Sequence, residues 1–72
     1  MATFGERLKL LRHNKGVTQK QVAEMLNITD RGYRDYEIGN STPNFDRLIF
    51  LADYFEVSLD YIVGRSDDPK RY

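Results

Sequence analysis

Apolar and small residues along this chain fall at helical spacing, in short runs separated by capping and turn residues. Phe4, Leu8 and Leu11 stand at i, i+4 and i+7 behind Thr3-Phe-Gly-Glu6, which has the form of a capping box. That spacing predicts an amphipathic helix ending near Asn14-Lys15-Gly16. Thr18-Gln-Lys-Gln21 repeats the capping pattern and opens a second helix with Val22, Ala23 and Leu26 on its inner face. Asn27 tolerates the left-handed backbone that a tight interhelical turn requires. Thr29 then caps a third helix, Asp30 to about Ile38, which Gly39 terminates. Ile28, Tyr33 and Tyr36 continue the apolar pattern. The stretch from Gln19 to Ile38 therefore reads as two short helices that share one buried face and leave the outer side of the second open.

Asn40-Ser-Thr-Pro43 is a polar loop, after which Asn44 caps a fourth helix with Leu48, Leu51, Ala52 and Phe55 inward. Ser58 caps a short fifth helix carrying Leu59, Ile62 and Val63, closed by Gly64. No segment alternates with period two and no internal repeat is present, so the expected fold is all-α, five short helices without a sheet. The expected domain is 1–64. The tail 65–72 has turn chemistry but no apolar period and is expected to be loosely held.

Composition narrows this picture. A chain of 72 residues is one domain, near the lower limit for a core that stands alone. It has no cysteine to supply disulfides or thiolate metal sites, no apolar run near the roughly 18 residues of a membrane span, and no signal-peptide-like start. A cytoplasmic location is expected. Net charge is zero, which at first argues against nucleic acid. The charges are unevenly placed, however: residues 1–43 hold seven Lys or Arg against five acids, and residues 44–72 hold four against six. The positive end is the end with the two-helix motif.

An enzyme is poorly supported, since the chain offers no glycine-rich phosphate loop, no nucleophile with a base at recognisable spacing and no metal-ligand cluster. His13, the only histidine, sits at the end of the first helix, where a cation suits the helix dipole. No cofactor, metal or small-molecule substrate is implied. In a small chain without catalytic equipment, two angled helices most often lay the second in a DNA major groove.

The segments GERLKLLR (5–12), TQKQVAEMLNIT (18–29), YEIG (36–39) and P-NFDRLIFLADYFEVSLDYIVG (43–64), in this order and with these gaps, resemble the Cro/C1-type (Xre-like) helix-turn-helix family. The resemblance covers about nine-tenths of the chain. It implies a lambda-repressor-like DNA-binding domain with the helix-turn-helix formed by helices 2 and 3. It also implies a sequence-specific transcriptional regulator, in this family often a repressor of phage or mobile-element type, that binds a palindromic operator on double-stranded DNA as a homodimer. By the same resemblance Thr29, Asp30, Arg31, Arg34 and Asp35 would face the bases. Gln19, Lys20, Asn40, Ser41 and Thr42 would meet phosphates, and Arg12 and Glu37 would form a buried ion pair tying helix 1 to the end of helix 3.

Chemistry weights these roles. Arg31 and Arg34, three apart, point the same way on a helix, and such a pair can fork onto guanine edges. Asp30 follows the cap and suits the helix dipole, whereas for Asp35 an ion pair with a nearby Arg and cytosine readout stand equally. Gly32 replaces the family's usual Ser or Thr; it either admits a close approach of DNA or weakens the helix, a mid-helix glycine costing about 1 kcal/mol. Tyr33 is bulkier than the family's usual Ile or Val, which would set the two helices slightly apart. Phe50 and Tyr54 flank the fourth helix and, with Tyr61, form either an exposed patch for self-association or rings buried against the tail; Leu10 is a weaker candidate of the same kind. The alternative function is a protein-interaction module on the same fold, an antitoxin or anti-repressor, to which the acids of helix 3 and the zero net charge lend support.

Overall fold

The computed structural model describes residues 2–71. Five helices follow one another: α1 (Phe4–Lys15), α2 (Gln19–Leu26), α3 (Asp30–Ile38), α4 (Phe45–Tyr54) and α5 (Leu59–Ile62). There is no strand among the described residues. Each helix starts where a short polar side chain takes up an orphan amide: Thr3, Thr18, Thr29, Asn44 and Ser58 all accept from the backbone N–H three residues on. At Thr3 and Thr18 the boxes are reciprocal, with Glu6 and Gln21 accepting from the cap N–H in return. The first three helices end on left-handed residues, Gly16, Asn27 and Gly39.

The core is one cluster in which Leu8, Val22, Tyr33, Leu51 and Ile62 are the largest fully enclosed side chains. α3 packs against both α1 and α2, and α5 packs against α1 and α4. Gly5 sets how closely α1 approaches the end of α3. A Cβ built there would lie 2.4 Å from the Glu37 carbonyl oxygen and 2.8 Å from that of Tyr36. Gly5→Ala is therefore expected to push α3 off α1 and to destabilise by about 1–3 kcal/mol or more. At roughly 4–8 °C per kcal/mol for a domain of this size, thermal denaturation followed by circular dichroism reads this directly; an unchanged midpoint would refute the close approach.

Two features depart from the sequence reading. The inner stripe of α1 includes a charge: Arg7, between Phe4 and Leu11, is 5% exposed. Its guanidinium stacks on the Tyr61 ring at 3.9 Å and donates to the Ser66 carbonyl (3.2 Å) and to Asp67 Oδ1 (3.1 Å). The tail, expected to be loosely held, is thus tied to the body. Ser58 N donates to the Pro69 carbonyl (3.0 Å), and Arg71 pairs with Asp53. The bonds to Ser66 and Pro69 use backbone carbonyls, which leave no mark in the side-chain pattern.

Candidate nucleic-acid interface

Turning Tyr33, Tyr36 and Glu37 inward leaves Asp30, Arg31, Arg34 and Ile38 exposed on the outer side of α3. Arg31, Arg34 and Ile38 follow at i, i+3 and i+7 and so form one stripe. Among the described residues neither arginine has an ion-pair or hydrogen-bond partner. Asp35 is half-buried, and among the described residues it makes no ion pair with an arginine. Ile38, 61% exposed, is an apolar member of this stripe that the sequence reading did not single out, although its spacing from Arg34 was visible.

The ends of α3 are held by its neighbours. Thr29 is exposed and its Oγ1 accepts from Gly32 N at 3.0 Å, which leaves its own hydroxyl hydrogen to donate. Gly32 stands in the first turn of α3 and not in its middle, and a Cβ there would come 3.2 Å from that same Oγ1. At the other end the Asp35 carbonyl accepts from the amides of Gly39, Asn40 and Ser41. Asn40, Ser41 and Thr42 expose their side chains beyond it, and Lys20 is exposed on α2.

Behind the stripe lies a buried polar node. Arg12 and Glu37 meet there, with side chains 11% and 2% exposed. The Glu37 carboxylate accepts from Arg12 Nε (2.6 Å), Arg12 Nη2 (3.3 Å), Tyr33 OH (2.6 Å) and Gln19 Nε2 (3.0 Å). Arg12 Nη1 also donates to the Val17 carbonyl in the turn between α1 and α2 (3.1 Å). Burial alone would raise the Glu37 carboxyl, but the bonds from Arg12, Tyr33 and Gln19 outweigh it and hold it below the ordinary value. Burial, and then the bond to Glu37, push the Tyr33 phenol well up. The bulk of Tyr33 is taken wholly inside, its ring edge-on to Tyr36 at 6.2 Å.

The aromatic candidates do not form one continuous ring contact. Phe50 (39% exposed) and Tyr54 stack at 6.1 Å; Tyr54 meets Phe55 edge-on, with Lys15 Nζ 4.6 Å above its ring. One face of Tyr61 is taken by Arg7. Leu10 is exposed on α1.

Residues 5–66 match the family described as Helix-turn-helix domain, a match that takes in α2 to α5 and all of α1 but its first residue. The chain belongs to that family. A helix-turn-helix domain is a binding fold and not a catalytic one. This helix-turn-helix chain is 41% identical over 66 residues to YobD of Bacillus subtilis strain 168, named an HTH-type transcriptional regulator; the alignment covers 92% of the chain and 59% of YobD. It is 37% identical over 60 residues to RstR of Vibrio cholerae, named a cryptic phage CTXphi transcriptional repressor, covering 83% of the chain and 54% of RstR. A crystal structure of a transcriptional regulator from Listeria innocua superposes with a TM-score of 0.82 at 39% identity, over 86% of this chain and 58% of that one. The helix-turn-helix chain thus spans somewhat over half the length of these relatives. No described helix is long and apolar enough to cross a membrane.

Proposed function

We propose that this protein is a sequence-specific regulator of transcription that reads double-stranded DNA by laying α3 in the major groove. The observation that carries the reading is the exposed Arg31–Arg34 stripe, without a partner among the described residues, on a helix whose opposite face is locked into the core. Base readout falls to Arg31 and Arg34, with Thr29 donating at the helix start; Asp30 serves the helix dipole. Asp35, lacking an arginine partner, is left to accept from a cytosine amino group. Gln19 and Lys20 on one side, and Asn40, Ser41 and Thr42 on the other, meet phosphates and fix register. RstR, a phage repressor, supports repression as the mode of action. A DNA ligand places the protein with the chromosome, in the cytoplasm of a bacterium such as those of its relatives.

The operator is palindromic on this reading and is bound by a homodimer that presents two α3 helices to successive major grooves about 34 Å apart. The Phe50–Tyr54 stack is the face offered for self-association, with Tyr61 contributing what Arg7 leaves uncovered. Selection of bound sites from random duplexes at two salt concentrations tests both claims. An inverted-repeat consensus is the expected result. Absence of any enrichment would overturn the reading in favour of a protein-interaction module.

A further inference from the structure

The polar node does more than join α1 to α3. An ionised carboxylate has acceptor capacity only, with about four lone-pair sites, and Glu37 fills them with Arg12 twice, Tyr33 and Gln19. It accepts the NH2 end of the Gln19 amide at 3.0 Å; a flipped amide would set a carbonyl oxygen against a carboxylate oxygen. The amide orientation is therefore dictated from within. One hydrogen of Nε2 goes to Glu37, and the other is left for an outside acceptor. Gln19 is half-buried and begins α2, beside the exposed Lys20.

Tyr33 has an interior reason to be tyrosine. Its ring is fully enclosed, and phenylalanine would fill almost the same space. A buried hydroxyl is unfavourable unless hydrogen-bonded, and this one is spent on Glu37 Oε2 at 2.6 Å. Without that donor, Oε2 keeps only Arg12 Nε. The carboxylate is then free to turn toward Arg12, away from Gln19.

We propose that Tyr33 and Glu37 are positioning residues for DNA contact: they fix the Gln19 amide so that one N–H is spent on Glu37 and the second is held in place for a backbone phosphate. This rests on the DNA-binding reading. The test is a double-mutant cycle on wild type, Tyr33→Phe, Gln19→Ala and the double variant. Affinity for a fluorescent random-sequence duplex is measured at about 50 mM salt, where sequence-independent phosphate contacts dominate. Folding of each variant is checked by circular dichroism. Tyr33→Phe is expected to weaken binding about 2- to 10-fold, the worth of one hydrogen bond, with Gln19 present. In the Gln19→Ala background its effect is expected to vanish. An equal factor in both backgrounds, or none in either, would overturn the positioning role while leaving DNA binding intact. Failure of wild type itself to bind the duplex would instead overturn the functional reading. A second measurement needs no DNA: hydrogen exchange of the Gln19 side-chain amide by NMR is expected to be slow in wild type and faster in Tyr33→Phe. Equal rates would also overturn the proposal.

Discussion

Glu37→Gln is expected to lower the unfolding free energy by about 3–5 kcal/mol, because Arg12 would remain buried and charged without its counter-ion. A chain of this length commands roughly 4–11 kcal/mol in total, at about 0.05–0.15 kcal/mol per residue, so the variant approaches the unfolding threshold at ambient temperature. The buried node would also lose part of its acceptor capacity toward the Tyr33 hydroxyl and the Gln19 amide. Replacing Arg12 and Glu37 together by methionine, with Tyr33→Phe, is expected to recover much of the loss, since a buried pair exchanged for apolar groups of similar volume is often neutral. Urea denaturation of the single and combined variants decides this; a single variant as stable as wild type would show that the node contributes nothing.

The same group makes stability depend on pH. The folded-state pKa of Glu37 lies below its ordinary value: burial would raise it, and the bonds from Arg12, Tyr33 and Gln19 more than offset that. A carboxyl depressed on folding contributes stability that is fully present above the unfolded pKa, about 4.3, and is lost as pH falls through the folded value. The gap between wild type and Glu37→Gln is therefore widest at neutral pH, begins to narrow below the unfolded pKa and closes only as pH falls through the depressed folded value. Melting curves across that range should converge on the acid side.

How far the sequence foretold this molecule depends on the range of each signal. Caps and helical spacing are local, and the five helices with their start residues were legible in Thr3, Thr18, Thr29, Asn44 and Ser58. The Tyr33–Glu37 bond also lay within reach, four residues apart on one helix, but the unusual tyrosine was read by its bulk and not by its hydroxyl. Arg7 lies on the apolar stripe of α1 between Phe4 and Leu11, but what buries it, the Tyr61 ring with Ser66 and Asp67, comes from the far end of the chain and leaves no local signal. The Gln19–Glu37 contact crosses between helices and leaves no local pattern. The course of the tail is set by contacts with residues far away in the chain, Arg7 with Ser66 and Asp67, Ser58 with Pro69 and Asp53 with Arg71; those accepted by the Ser66 and Pro69 carbonyls leave no mark on the tail's side-chain pattern.

Arg31→Ala and Arg34→Ala are each expected to weaken binding to a selected duplex by about 1–3 kcal/mol, or roughly 5- to 150-fold in Kd. Both side chains are exposed and, among the described residues, without partners, so stability should change by less than about 0.5 kcal/mol, which separates loss of contact from loss of fold. The loss should fall on the selected site and far less on random duplex, because a fork on a guanine edge carries sequence information. Lys20→Ala provides the contrast. A cation that meets a phosphate weakens all duplexes alike and lowers the slope of log K against log salt by about 0.9. If the arginine variants behaved like Lys20→Ala, uniformly weaker with a shallower slope, α3 would be lying along the backbone and not reading the groove. If neither arginine mattered, the DNA-contacting face would have to be sought elsewhere on the molecule.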